Sequence, residues 1–177
     1  MRAAVALAIL LPAAAGAMIA SRPDLGTAAG TCRVGETGPA FLVTAVGLKD
    51  RKGTLRVEVY PSDDDEFLAD DNVLVAAGKT FRRAEMPVPA AGPAVVCVRV
   101  PTAGAYTLSL LHDRDGNRKF GFASDGLGFP NNPALHLAPP PASAARATAG
   151  TGPTPLTIRL NYHHGLLAFG PIGDPAK

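Results

Sequence analysis

Apolar and polar positions alternate along much of the chain. Leu55, Val57 and Val59 are separated by Arg56 and Glu58, a period of two that sends the aliphatic side chains to one face of a strand and the charged pair to the other, toward solvent. The apolar run at 41–46 precedes it across the polar turn 49–53, so the two segments predict a hairpin. Further strand-like runs lie at 73–77, 79–88, 94–100, 106–111 and 156–162, and the turn 101–105 carries Pro101 and Gly104 where a tight connection needs restricted and permissive backbone. On the strand that ends at His112, the spacing puts Tyr106, Leu108 and Leu110 on the core face and His112 at the rim. No segment after residue 17 shows an amphipathic helical period. Many short strands with Gly/Pro turns predict an all-β fold, an antiparallel β-sandwich of about seven strands of immunoglobulin-like or transthyretin-like form.

Two regions depart from this pattern. At the start, Met1-Arg2 is followed by an apolar run at 3–11, the breaker Pro12 and small residues up to Ala17. That is the layout of an export signal cleaved after Ala17, which implies a periplasmic or secreted mature chain of residues 18–177. Residues 18–38, rich in Gly, Ala and Thr, read as a mobile arm; 39–165 as the sandwich domain; 166–177 as a C-terminal tail. The second departure is 113–154, one long loop insertion between the strand ending near His112 and the last strand. Its first half carries specific polar residues and its second half is Pro/Ala/Thr-rich. Charges, Pro or Gly interrupt every later apolar stretch, so no integral membrane segment is expected in the mature chain.

Composition narrows the partners. The chain has 177 residues, 47% hydrophobic, with 17 Lys+Arg against 15 Asp+Glu and a net charge of +2, too weak and too scattered a footprint for nucleic acid or an anionic membrane. Cys32 and Cys97 are the only cysteines. An even count in an exported chain predicts a disulfide, worth ~4 kcal/mol of removed chain entropy.

Candidate chemistry concentrates after His112. Asp113, Asp115 and Asn117 occupy alternate positions of a tight loop, followed by a backbone carbonyl at Lys119 and the hydrophobe Phe120, as ligands do in calcium loops, where a hard cation collects six to eight oxygens. Arg118 stands where such a loop needs Gly and Ser124 where it needs Glu, with Asp125 one residue late. The other reading is an Asx-type turn whose carboxylates bond backbone amides. The run 126–132 offers Phe129 as an apolar anchor with Asn131 and Asn132 as directed hydrogen-bonding groups. Together with His112 it is a ligand or partner loop, or else a cover packed on the sandwich end. The carboxylates Asp63, Asp64, Asp65, Glu66, Asp70 and Asp71 read as a solvated loop, with Phe67 and Leu68 folding back onto the sheet edge. No zinc-ligand spacing, nucleophile elbow, phosphate loop or dinucleotide fingerprint is present.

The elements Gly104-Ala105-Tyr106, Leu110-Leu111-His112-Asp113-Arg114-Asp115-Gly116-Asn117 and Asp125-Gly126-Leu127-Gly128-Phe129-Pro130-Asn131-Asn132, with the Pro139-Pro140 pair and a closing Ile-x-Leu-x-Tyr strand, resemble the bacterial domain-of-unknown-function 2141 family over roughly residues 40–162. Leu127 stands where the family commonly has Tyr before Gly-Phe. The resemblance implies an exported β-sandwich and leaves the biochemical role open. The expectation is a non-catalytic binding or envelope-accessory module whose partner is an envelope protein or a small ligand, and which holds no cofactor unless Ca2+ occupies Asp113, Asp115, Asn117 and Asp125. The alternatives are a metal-dependent hydrolase using the 113–125 loop and a structural protein in which that loop only orders the fold.

Overall fold

A computed structural model describes residues 19–135, 138–164 and 168–173; the segment 1–17, expected as an export signal, lies outside the described residues. Ten strands form two facing sheets: β1 (Ala40–Val46), β2 (Thr54–Pro61), β3 (Arg82–Pro87), β4 (Ala94–Arg99), β5 (Gly104–Asp113), β6 (Gly126–Gly128), β7 (Arg146–Ala149), β8 (Pro153–Arg159), β9 (Asn161–His164) and β10 (Ala168–Pro171). The small sheet has the order β4-β1-β8 and the large one β10-β9-β6-β5-β2-β3, with β7 beside β5. The fold is thus an all-β sandwich, mostly antiparallel, although β8 pairs with β1 in parallel.

The alternation does what it promised on the inner faces. Phe41 and Val43 of β1, Val96 and Val98 of β4, Leu55, Val57 and Val59 of β2, and Leu108 and Leu110 of β5 are buried together with Ile158, Leu160 and Tyr162 in one core. At about 25 cal/mol per Å2 of apolar surface removed from water, each such side chain contributes roughly 1.5–3 kcal/mol.

Four local expectations change. Residues 73–77 are not a strand: α2 (Asp71–Ala76) is a helix. It closes with Gly78 at φ 68, Gly78 N–H donating to Val75 O and Lys79 N–H to Leu74 O, the Schellman pattern that ends helices. Leu74 packs there with Tyr60 and Phe81 in a second small cluster, and that contact outweighs the β-propensity of Val73 and Val75. The last strand divides. β8 belongs to the small sheet and β9 to the large one, and the chain changes sheets at Leu160, whose N–H donates to Val46 O. The insertion 113–154 contains β6, a 3-10 turn (Ala142–Ala145) and β7, and both strands extend the sheet along β5.

Finally, the stretch expected as an arm lies along the large sheet. Its helix α1 (Thr27–Gly30) sits against β3, where Arg83 N–H donates to Gly26 O and the Arg83 guanidinium to the carbonyls of Arg22 and Pro23. Gly30 is required here, since a Cβ would stand 2.5 Å from Arg83 O. The Cys32–Cys97 disulfide ties the end of this stretch to β4.

Candidate functional site

The outer face of the large sheet carries a pocket. Period-two alternation turns Arg56 and Glu58 of β2 and Ser109 and Leu111 of β5 away from the sandwich core, while Leu127 of β6 joins them on the same surface. Its walls come from segments far apart in the chain. These are Leu68 of the acidic stretch after β2, Phe120 and Phe122 of the 113–125 loop, Phe129, Leu135 and Pro139, and Phe169 of β10. The pocket has a volume of about 420 Å3, within the size range of small-molecule sites. Phe122 stacks on Phe169 with ring centroids 5.4 Å apart, and Phe120 meets Phe169 edge-on at 6.0 Å, so three aromatic rings frame the mouth.

The sequence Gly126-Leu127-Gly128 suits this position. A Cβ at Gly126 would lie 2.4 Å from the Tyr162 ring, and one at Gly128 2.5 Å from Arg159 O. Only the middle residue has room for a side chain, and Leu127 points it into the pocket.

Beneath the apolar walls lies a charged floor. The strand register sets Arg56 opposite Glu85 and Glu58 opposite Arg83, each pair of opposite sign. Arg56 Nε donates to Glu85 Oε1 at 2.7 Å and its Nη1 to Arg118 O at 3.1 Å. Glu58 receives Arg83 Nε on Oε1 at 2.8 Å and the Tyr60 hydroxyl on Oε2 at 2.6 Å, while Arg83 Nη2 also reaches Asp71 at 3.2 Å. Burial, reinforced by the Glu58 charge, pushes the Tyr60 phenol well above its ordinary value. Arg56 and Glu58 were expected to face solvent. Arg56 is instead only 8% exposed, because the long insertion covers this face and the N-terminal stretch lies against the neighbouring β3.

The polar loop expected to hold a cation stands beside this pocket. One carboxylate oxygen from each of Asp113, Asp115 and Asp125 lies within 4.8 Å of the others. The same groups pin the loop: Asp113 accepts the N–H groups of Gly116 (2.9 Å) and Arg118 (2.8 Å), and Asp125 those of Arg114 (3.0 Å) and Gly121 (2.8 Å). Asp115 accepts from Asn117 N and Nδ2, and Asn117 Oδ1 from Lys119 N, so Asn117 turns toward the loop backbone. Arg114 bridges to Asp50, whose carboxyl its hydrogen bond holds below the usual range, and to Ser124 O at 2.7 Å. Each carboxylate oxygen has two acceptor sites, so an oxygen that accepts one amide N–H keeps a second site with which to meet a cation.

The partner-loop residues take separate places. Phe129 is 1% exposed, packs edge-on against Phe67 at 5.8 Å and walls the pocket. Asn131 and Asn132 lie outside the pocket lining with φ of 62 and 48; Asn131 Nδ2 donates to Arg146 O at 3.0 Å, and Asn132 Oδ1 accepts Arg159 N at 2.6 Å. His112 is not at a rim but fully buried, because Tyr162 and the 49–53 turn close over it. Its Nε2 lies 2.7 Å from Lys52 O, which can only accept, so Nε2 carries the proton and the Tyr162 hydroxyl, 2.7 Å from Nδ1, donates. Lys49 N–H donates to the same hydroxyl at 3.1 Å. Burial holds the His112 imidazole below its ordinary value and pushes the Tyr162 phenol up to about 12. The acidic run 63–66 is partly engaged: Asp64 accepts Ala142 N, and Glu66 pairs with Lys79.

Of the candidate site residues His112, Asp113, Asp115, Asn117, Asp125, Phe129, Asn131 and Asn132, only Phe129 lines the pocket. The sequence assigned no place in a site to Arg56, Glu58, Leu111, Phe120, Phe122 or Phe169. The one available signal was the matched Arg/Glu alternation of 56–58 and 83–85, which becomes a ladder of opposite charges once the strands are paired.

A family model described as "Uncharacterized protein conserved in bacteria (DUF2141)" matches residues 43–157. No curated protein and no solved structure matches the chain.

Proposed function

This chain belongs to the DUF2141 family, and from that premise we propose that it is an exported, non-catalytic module that binds a small, largely apolar ligand in the pocket on the outer face of its large sheet. The observation that carries the reading is the preformed space of about 420 Å3, framed by Phe120, Phe122 and Phe169 over a polar floor. Pockets of this make-up, apolar walls with a few directed polar groups, are the usual form of a small-molecule site. The chemistry of the lining favours binding over catalysis. Among its described residues Ser109 is the sole hydroxyl and no His or Cys stands beside it, while Arg56 and Glu58 are held in ion pairs. Export is supported by the apolar stretch ahead of Ala17 and by the Cys32–Cys97 bridge, since disulfides persist in oxidising compartments. Mass spectrometry of the protein recovered from the periplasm or medium should find a chain that begins at Met18.

Nile red, a neutral dye that brightens in apolar surroundings, tests the site. The mature protein is expected to bind it, and Phe122→Ala and Leu127→Glu to abolish the signal without loss of the far-UV circular dichroism of the sandwich. Binding unchanged in both variants would overturn the reading.

A second reading rests on the convergence of Asp113, Asp115 and Asp125, which suits a hard cation such as Ca2+ and would make the loop a metal support for the pocket wall, or the centre of a metal-dependent hydrolase. It predicts an upward shift in Tm when calcium follows chelator, abolished in Asp115→Ala. No shift would leave these carboxylates as turn-forming residues.

A further inference from the structure

Arg56 belongs to two cavities at once. On one side is the aromatic pocket. On the other is a second cavity of about 370 Å3, lined by Arg22, Arg56, Arg83, Arg118 and Lys119 together with Asp71 and Glu85. The loop that separates them runs Arg118-Lys119-Phe120, with Phe120 facing the aromatic side and the two cations facing the other.

The charges of the two cavities do not cancel. Five cations meet three acids, Glu58, Asp71 and Glu85, and each acid is held by Arg56 or Arg83. Arg22 pairs weakly with Asp24 at 3.9 Å on the exposed rim. That leaves Arg118, no closer than 4.0 Å to Glu85, and Lys119, which enters no ion pair among the described residues. The surplus positive charge of the two linings therefore stands next to the aromatic mouth, while the nearby carboxylates of Asp113, Asp115 and Asp125 are turned onto the N–H groups of their own loop. Asp113 Oδ2 holds the Arg118 N–H, which keeps Arg118 at φ 63 and fixes where the cationic segment begins.

Building on the pocket reading, we infer that the ligand is an amphipathic acid, its apolar body among Phe120, Phe122, Leu127 and Phe169 and its anionic head on Arg118 and Lys119. Charge complementarity favours this over a neutral or cationic ligand. An acid gains charge-assisted hydrogen bonds from Lys119 and from Arg118, whose one ion pair is the long 4.0 Å contact with Glu85, whereas an amine would meet Glu58 with both oxygens already engaged by Arg83 and Tyr60.

Displacement of bound Nile red by decanoate, 1-decanol and decylammonium tests the inference on the mature chain. Decanoate is expected to displace the dye at about one-tenth the concentration of decanol, and decylammonium to be weaker than decanol, a tenfold difference being about 1.4 kcal/mol. In the double variant Arg118→Asn, Lys119→Gln the acid should fall to the level of the alcohol while the alcohol is unchanged. Asn tolerates the left-handed backbone of position 118, and Lys119→Glu alone, at an exposed side chain, gives a second variant that should disfavour the acid further. Equal displacement by acid and alcohol, or preference for the amine, would overturn the inference and leave the pocket reading standing. Failure of all three compounds, with no Nile red bound, would overturn both.

Discussion

Removing the hydroxyl of Tyr162 isolates one buried hydrogen-bond chain from everything around it. In Tyr162→Phe the ring keeps its place against Gly126 and in the core, so packing is conserved and only the oxygen is lost. Two groups then lose a partner. The Lys49 N–H lies on an exposed residue and can be met by water, at little cost. His112 Nδ1 cannot. The residue is fully buried, and its proton is held on Nε2 by Lys52 O, so Nδ1 becomes an unsatisfied acceptor. A buried polar group left without a partner costs about 1–3 kcal/mol, and the expected loss is therefore about 2 kcal/mol. For a chain of this length that lowers Tm by about 4–8 °C. The assay is urea unfolding followed by far-UV circular dichroism, comparing midpoints at unchanged m-value. His112→Leu and the double variant complete a cycle: once His112 is gone, Tyr162→Phe should cost at least about 1 kcal/mol less than in the parent. A Tyr162→Phe midpoint equivalent to less than about 0.5 kcal/mol, or strict additivity in the cycle, would refute the hydrogen-bond chain as the element joining the 49–53 turn to β5 and β9.

Three further outcomes are expected. Because the Tyr162 phenol is raised to about 12, the folded state keeps a proton that the unfolded chain releases near pH 10. This contribution is complete below pH 10 and is lost as pH rises toward 12; Tyr60 acts in the same sense, so the difference between parent and Tyr162→Phe across pH 9–12 isolates it, and parallel curves would count against it. Gly53→Ala meets both a φ of 71 and a Cβ position 1.9 Å from Asp113 O, backbone against backbone. It should destabilise by about 3 kcal/mol or more, with a soluble protein of unchanged Tm as the contrary result. Reduction of Cys32–Cys97, or Cys32→Ser with Cys97→Ser, opens a loop of sequence separation 65 and should cost about 4 kcal/mol, on the order of 10 °C in Tm, measured by calorimetry with and without reductant. A change of only a degree or two would show that the docked stretch 19–30 needs no tether.

How far the sequence reaches can be followed residue by residue. Alternation assigns Leu55, Val57 and Val59, and Tyr106, Leu108 and Leu110, to inner faces because a strand's side chains change sides at every residue, a local rule with no dependence on partners. The cysteine count likewise sufficed for Cys32–Cys97, and the Asp-rich spacing at 113–117 for a carboxylate-built turn. The helix α2 was half legible: Asp70 before it and Gly78 after it are helix-end signals, although the valines between them favour a strand.

The pocket was not legible, and neither was the parallel pairing of β8 with β1 or the burial of His112. Each depends on which distant segment comes to lie against a face whose direction alone the sequence specifies. Arg56 and Glu58 point away from the core by local geometry. Whether they then meet water or Phe120, Phe129 and Phe169 is decided by three segments up to 113 positions away. Period-two patterning records one buried face of a strand; a second cover, formed by loops without periodicity, leaves no repeat in the sequence, so only the assembled tertiary structure brings the aromatic rings and the charged ladder together.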